Sequence, residues 1–146
     1  MKTTVGEILQ KKGRDVWTIS PNDTVMDALK LMAEKGIGAL VVTHDNEVAG
    51  IISERDYARK VVLRNRTSSN TKVKEIMTEK VYYVGPKSTA DECLKLMTQQ
   101  GIRHLPVLKN GDLIGLISIG DVVKAVIENQ ETEIRELSDY LSGKYI

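Results

Sequence analysis

The chain contains two stretches in which hydrophobic residues recur at helical spacing. Each stretch is followed by a pair of short apolar runs. Apolar side chains recur at helical spacing in residues 25–32 and again in residues 90–97. Each stretch follows a threonine with an acidic residue three positions later, and each ends before a glycine, which is typical of a capped helix. The pattern predicts helices at 24–35 and 89–100. Strands are predicted in the apolar runs at residues 39–43, 48–52, 104–108 and 113–117.

The two halves of this pattern are copies of one another. When residues 16–62 are compared with residues 81–127, 16 of the 47 positions are identical, whereas about three would match by chance. A short leader, residues 5–9, recurs as residues 73–77. We therefore predict an α+β (α/β) fold in which two β-α-β-β-α repeats pack as an intrachain pseudo-twofold pair. Turn residues between paired strands indicate hairpins, and brief strands at 16–19 and 81–84 open the repeats.

The repeats divide the chain into three predicted parts. Residues 1–66 form the first domain with its leader helix, 67–128 form the second domain, and 129–146 form a helical tail. Residues 64–72 are polar and are interpreted as the linker. The tail carries Ile134, Leu137 and Leu141 at helical spacing. It either covers the core or serves as a dimerisation or partner helix.

Composition and charge exclude several classes of protein. The 146 residues include 21 basic and 20 acidic side chains, a net charge of +1, so no strong field attracts nucleic acid or an anionic membrane. No apolar run is long enough to span a bilayer, and the first residues do not form a signal peptide, so we expect a cytoplasmic protein. One cysteine, Cys93, and two histidines argue against a disulfide framework and a metal site.

Short motifs at matching places in the two repeats resemble those of a known family. They are GIISERD at 50–56, GLISIGD at 115–121, GIRHLPV at 101–107 and IMT at 76–78. With the duplication, they resemble a tandem pair of cystathionine-β-synthase (CBS) domains, or Bateman module, in a stand-alone CBS-domain protein. The resemblance implies two clefts between the repeats, where many such pairs bind adenine nucleotides or related adenosyl compounds.

The serine and aspartate that begin the last helix of each repeat have two readings. Ser118 and Asp121 have the spacing of a capping box, in which both side chains bond to the helix start. The same helix start offers N–H groups to a phosphate. The resemblance implies that Asp121 holds the ribose hydroxyls and that Ser118 lies beside the phosphate. Ser53 and Asp56 are the equivalent pair.

The resemblance also implies which further residues line each cleft. The Asp121 cleft is expected to use Val16, Gly38, Ala39 and Leu40, and Leu116 would offer an apolar surface to adenine. The Asp56 cleft is expected to use a second set: Val81, Arg103, His104 and Pro106. Arg103 and His104 are either phosphate contacts of one cleft or ordinary surface and strand side chains. Arg55 and Arg59, four residues apart on one helix face, are either a solvated face or further phosphate contacts.

These features favour a regulatory protein. We expect a sensor that binds AMP, ADP or ATP, with NAD(H) and S-adenosylmethionine as further candidate ligands, and that passes its state to a separate target protein. The alternative is a scaffold or interaction subunit without a ligand. The sequence shows no phosphate loop, nucleophile elbow or clustered acid–base pair, so we predict no catalytic residues, no catalytic cofactor and no enzymatic activity. Pairing through the helices predicts a homodimer.

Overall fold

The helices and strands follow the order that the sequence pattern predicts, except at the predicted strand 81–84. The computed structural model describes residues 2–142. The helices are α1 (Val5–Lys12), α2 (Val25–Lys35), α3 (Glu54–Lys60), α4 (Val73–Ile76), α5 (Ala90–Gln100) and α6 (Ile119–Leu141), with a short 3₁₀ helix at Val62–Arg64. The strands are β1 (Thr18–Ile19), β2 (Ala39–His44), β3 (Glu47–Ser53), β4 (His104–Lys109) and β5 (Asp112–Ser118). This mixed helix and strand content confirms the α+β class.

Caps set the limits of the two central helices. The Thr24 side chain accepts a hydrogen bond from the Asp27 N–H, and the Asp27 side chain accepts one in return, which completes the predicted capping box of α2. Thr89 accepts from the Glu92 N–H at the start of α5. Gly36 and Gly101 end these helices with φ values of 64° and 65°, which a residue with a side chain rarely adopts. Both predicted helices are therefore confirmed.

The hairpins are also confirmed, with strand ends within one residue of the prediction. The two turn residues between β2 and β3, Asp45 and Asn46, both have positive φ, as do Asn110 and Gly111 between β4 and β5. Two successive positive φ values are the conformation of a type I′ turn, which is common in two-residue hairpins. In the first sheet β2 pairs with β3 in antiparallel fashion and with β1 in parallel fashion, whereas the second sheet contains β4 and β5.

The predicted strand at 81–84 is wrong. In its place is a single parallel bridge between Val84 and Val107. Val84 donates its N–H to the Pro106 carbonyl and accepts from the Leu108 N–H. Pro106 lacks an N–H, so β4 cannot supply the donor that Val41 supplies at the equivalent place in β2, and the ladder does not extend.

The chain forms two compact units that differ from the two sequence repeats. Among the described residues, unit I contains residues 2–14, 83–110 and 114–142, and unit II contains residues 15–82 and 111–113. Helix α1 therefore belongs with the second repeat, although it precedes the first. Helix α4, which precedes the second repeat, belongs with the first. Each leader is exchanged, so a repeat of the sequence is not a unit of packing.

In unit I the leader docks through backbone hydrogen bonds and one glycine. The Val5 and Gly6 N–H groups donate to the carbonyls of Ser88 and Pro86 at 2.8 and 2.9 Å. Leu9 is buried against Gly115, where an added Cβ would lie 2.6 Å from the Leu9 Cδ2. The absence of a side chain at Gly115 thus makes room for the leader.

Unit II repeats this arrangement with α4. The Val73 and Lys74 N–H groups donate to the carbonyls of Asp23 and Pro21 at 2.8 and 3.0 Å. A Cβ on Gly50 would lie 2.8 Å from the Thr78 carbonyl oxygen. The two motif glycines therefore have the same packing role.

The segment interpreted as a linker also belongs to the packing of unit II. The carbonyls of Ser68 and Thr71 accept hydrogen bonds from the Met26 and Val25 N–H groups at the start of α2. Thr71 is buried, and its hydroxyl donates to the Thr67 carbonyl at 2.7 Å. Because the first N–H groups of a helix have no partner within it, this polar segment satisfies donors that would otherwise need water.

Candidate functional site

The first turn of α6 forms a complete capping box. The Asp121 N–H donates to the Ser118 hydroxyl at 3.2 Å, and the Ser118 N–H donates to the Asp121 Oδ2 at 2.8 Å. The predicted structural role of this pair is confirmed. Its predicted ligand role stays a prediction.

A lysine of the leader helix completes this corner of unit I. The Lys12 ammonium group donates to the Asp121 Oδ2 at 2.6 Å and to the Leu116 carbonyl oxygen at 2.8 Å. The other carboxylate oxygen of Asp121, Oδ1, accepts no hydrogen bond from the described part of the chain. The side chain of Asp121 is 24% exposed, so its carboxylate is accessible to small molecules.

The pKa of Asp121 reflects opposing effects. Burial raises it, but hydrogen bonds from Lys12 and Ser118, together with the charge of Lys12, hold the pKa below the ordinary aspartate value. Asp121 is therefore a carboxylate at neutral pH, and it can accept hydrogen bonds from hydroxyl groups of a ligand.

His104 and Arg103 lie beside the same corner in unit I. The Arg103 carbonyl accepts from the Ile119 N–H at 2.8 Å, which places the start of β4 next to the start of α6. Burial lowers the pKa of His104, and the nearby charges of Lys12 and Arg103 lower it further against the opposing effect of Asp121. The His104 ring is thus neutral at neutral pH, while the Arg103 residue is exposed.

The equivalent corner of unit II is closed by the chain's own side chains. Asp56 is buried, and its Oδ2 accepts from the N–H and the hydroxyl of Ser53, both at 3.0 Å. Its Oδ1 accepts from the Thr78 hydroxyl at 3.2 Å and lies 3.1 Å from the Lys60 ammonium. Both oxygens of Asp56 are therefore occupied, in contrast to Asp121.

Most of the remaining predicted site residues of unit II lie around the start of β2 and on α3, and Val16 and Val81 lie outside these elements. The Gly38 carbonyl accepts from the Glu54 N–H at 3.1 Å, and Ala39 pairs with Ser53 in the sheet. Ala39 and Leu40 are fully buried, so backbone atoms are what this strand start could offer to a ligand. The rest of the set comprises half-buried Val16 and Val81 and the exposed helix residues Arg55 and Arg59.

Sequence reasoning missed Lys12, Thr78 and Lys60. Lys12 and Asp121 are 109 positions apart, and no motif links them. For Lys60 a local signal existed, because it follows Asp56 by four positions, the spacing of a helical ion pair. Thr78 lies in the IMT motif, but the pattern does not reveal that it meets Asp56.

Residues 2–142 contain neither a membrane-spanning helix nor a cluster of metal-ligating side chains. None of the helices in that range is long and apolar enough to cross a membrane. Within the same range no group of three or more His, Cys, Asp and Glu side chains is placed to hold a metal ion.

Comparison with known proteins defines the class. The family model of the CBS domain matches residues 5–63 and 73–128. The chain belongs to the family of CBS-domain proteins, with two CBS domains in tandem.

Individual relatives extend this result. The chain is 42% identical to the mitochondrial CBS domain-containing protein CBSX3 of Arabidopsis thaliana, over 98% of this chain and 74% of that protein. It is 60% identical, with a TM-score of 0.83, to a solved structure of a protein with CBS domains from Burkholderia ambifaria MC40-6, over 88% of this chain and 96% of that one. It shares the fold, at 23% identity and a TM-score of 0.78, with the CBS domain pair of protein MJ0100 in complex with 5′-methylthioadenosine and S-adenosyl-L-methionine, covering 88% of this chain and 99% of that chain.

Proposed function

We propose that this CBS pair is a regulatory module that binds an adenosyl ligand, with an adenine nucleotide as the leading candidate, and passes its state to a target protein. The proposal is supported by the α6 corner of unit I, where the Asp121 carboxylate keeps one oxygen without a hydrogen bond from the described residues. A carboxylate of this kind is suited to accept hydrogen bonds from the two hydroxyls of a ribose.

The charges around this corner favour a phosphorylated ligand. Lys12 contacts Asp121 in the first turn of α6, and Arg103 accepts the Ile119 N–H through its carbonyl, so two positively charged residues lie near this helix start. The neutral His104 ring beside them can donate or accept a hydrogen bond. The partial positive charge of a helix start adds to the attraction for phosphate. AMP, ADP and ATP therefore lead. NAD(H), which also carries phosphate charge, comes next, and S-adenosylmethionine, a cation without phosphate, follows. The adenosyl ligands of the MJ0100 pair support the nucleoside part of this proposal.

Calorimetric titration tests the proposal with AMP, ATP, NADH and S-adenosylmethionine. We expect at least one of them to bind the unmodified chain, and Asp121→Asn to weaken that binding about tenfold or more, because charge-assisted hydrogen bonds to the ribose are lost. Asp45→Asn is the matched control. It makes the same chemical change in an exposed turn, at a φ of 50° that asparagine tolerates.

Two results would contradict the proposal. One is the absence of binding by all four compounds at about 1 mM, the weak end of specific affinity. The other is an equal affinity in Asp121→Asn and in the Asp45→Asn control. Asp56→Asn supplies a further comparison, since both Asp56 oxygens already accept bonds within unit II. We expect that variant to retain the affinity.

The closed Asp56 corner favours the second candidate function, a ligand-free scaffold or interaction subunit, for that part of the chain. There Ser53 and Asp56 bond to each other at the start of α3, and Asp56 also contacts Thr78 and Lys60, which is a structural role. A lack of adenosyl binding together with loss of stability in Asp56→Asn would favour this function for the whole module. The binding of a target protein, the formation of a homodimer and the cytoplasmic location remain predictions. The Arabidopsis relative CBSX3 is a mitochondrial protein by name.

A further inference from the structure

Helix α6 carries a row of exposed apolar side chains that continues beyond the CBS domain. The helix has 23 residues and continues to Leu141, beyond the last residue matched by the family model, residue 128. The row begins with Val123 and includes Ile134, Leu137 and Leu141, which are 68%, 60% and 75% exposed. We call it the outer stripe and define it as Val123, Ile127, Ile134, Leu137 and Leu141.

The outer stripe is a different face of α6 from the one packed in unit I. Val122 and Ala125 are the residues of α6 that are buried. Asn129 lies on the same side and accepts a hydrogen bond from the Thr3 hydroxyl at 2.8 Å. At 100° per residue, these three positions lie on average more than a quarter turn away from the outer stripe. The helix is thus apolar on two sides, and one of them is exposed.

The spacing along the outer stripe is that of a coiled coil. Its members follow one another by four, seven, three and four residues, so they fill heptad positions d, a, a, d and a. The missing d position is Gln130. In the last heptad of the helix, the positions b, c and f, which face away from the stripe, are the charged residues Arg135, Glu136 and Asp139. A seven-residue repeat of this kind indicates that another helix lies along the stripe, over a length of about 27 Å.

Charge and side-chain chemistry favour an identical helix in parallel. In a parallel pair, the flanking contacts join Val126 to Glu131 and Glu133 to Ser138, so no like charges face each other. In the antiparallel pair that aligns the stripe with itself, Glu131 would face Glu131 and Glu133 would face Glu133. A Gln130 amide can both donate and accept, so two of them facing each other in parallel register satisfy one another.

We propose that the outer stripe binds the outer stripe of a second copy of this chain, forming a parallel two-stranded coiled coil. This defines an interface for the homodimer, and it does not depend on whether the module binds a nucleotide. With only about two and a half heptads in the stripe, the pairing is expected to be reversible.

Sedimentation equilibrium over a concentration series tests the interface. We expect the average mass of the unmodified chain to rise from one chain to two, and Leu137→Glu to raise the dissociation constant at least about tenfold, because it places an unpaired charge in the seam. Thr132→Glu is the matched control. It adds the same charge at the outward f position, where Thr132 is exposed and bonded to the Glu128 carbonyl, and it should dimerise as the unmodified chain does.

A cysteine pair tests the parallel register. Gln130→Cys should form a disulfide between chains under mild oxidation, because like d positions face each other in a parallel pair, whereas Thr132→Cys should not. Cys93 is buried in unit I and is present in both variants. The proposal is overturned if the unmodified chain stays monomeric, if Leu137→Glu dimerises like its control, or if Thr132→Glu weakens dimerisation equally. It is also overturned if Gln130→Cys fails to cross-link in a chain that does dimerise.

Discussion

The two motif aspartates differ in the partners of their carboxylate oxygens. Asp121 shares one oxygen with Lys12 and leaves the other without a hydrogen bond from the described residues, whereas Asp56 gives both oxygens to Ser53, Thr78 and Lys60. The two sites carry the same motif spacing but different environments. At the residue scale the pair is therefore asymmetric, although both motifs carry the serine and the aspartate at the same spacing.

The ion pair between Lys12 and Asp121 predicts a pH-dependent stability. The folded state holds the pKa of Asp121 below the ordinary value of 3.8. The resulting stabilisation is fully present above that pH and is lost as the pH falls through the lower folded pKa. We expect Lys12→Met to lower the free energy of unfolding by about 1 kcal/mol at neutral pH, with the difference shrinking below pH 3.8.

Urea unfolding at a series of pH values measures this difference. Lys11→Met is the control. Its ammonium lies 3.7 Å from Glu128 and is 81% exposed, so its removal should change the stability less. Equal losses in the two variants, or a Lys12→Met loss that does not vary with pH, would show that the ion pair does not stabilise unit I.

At the scale of elements, the sequence predicted the features that depend on neighbouring residues. It did not predict contacts between residues far apart in the chain. Caps and turns depend on residues a few positions apart, so Thr24, Gly36 and Asp45 mark their elements in the sequence alone. The prediction of a strand at 81–84 was wrong because the pairing of this segment depends on Pro106 in another strand. The Lys12 contact with Asp121 joins positions 109 apart, which no local pattern reveals. The sequence thus predicted the helix-start part of the site but not its lysine.

The motif glycine of β3 gives a prediction at this scale. A Cβ on Gly50 would lie 2.8 Å from the Thr78 carbonyl oxygen and 2.9 Å from the Met77 sulfur. The carbonyl belongs to the backbone bridge with Ile51 and cannot move freely. We expect Gly50→Ala to lower the free energy of unfolding by about 1–3 kcal/mol, as overpacking does.

Gly85→Ala is the matched control for chemical or thermal unfolding. A Cβ there would lie 3.7 Å from the Leu108 carbonyl oxygen, an ordinary contact. That variant should be neutral within about 0.5 kcal/mol. If Gly50→Ala were equally neutral, the close approach of the leader segment to β3 would be wrong.

At the scale of the molecule, the exchanged leaders set which residues unfold together. Helix α1 is packed in unit I through Leu9 and Gly115, whereas the first repeat that it precedes lies in unit II. Parts of a protein that share a packed core lose their protection from hydrogen exchange together. Stability should therefore follow the units and not the order of the repeats.

Hydrogen exchange with two matched variants tests this. Ile117 and Ile52 are fully buried and occupy equivalent repeat positions in unit I and unit II. We expect Ile117→Ala to reduce protection in α1 more than Ile52→Ala does, and Ile52→Ala to have the larger effect on α4. The opposite ranking would show that each leader is stabilised by its own repeat.

The exchanged leaders also bear on the order in which a newly made chain can fold. Most of unit II is one continuous stretch, residues 15–82, so it can assemble while the rest is still being synthesised. Helix α1 leaves the ribosome earlier still, but the β5 glycine that receives Leu9 does not yet exist. The apolar face of α1 therefore stays exposed to water until the β5 segment has been synthesised. A chaperone that binds nascent chains would therefore meet α1 still unburied after residues 15–82 have been made.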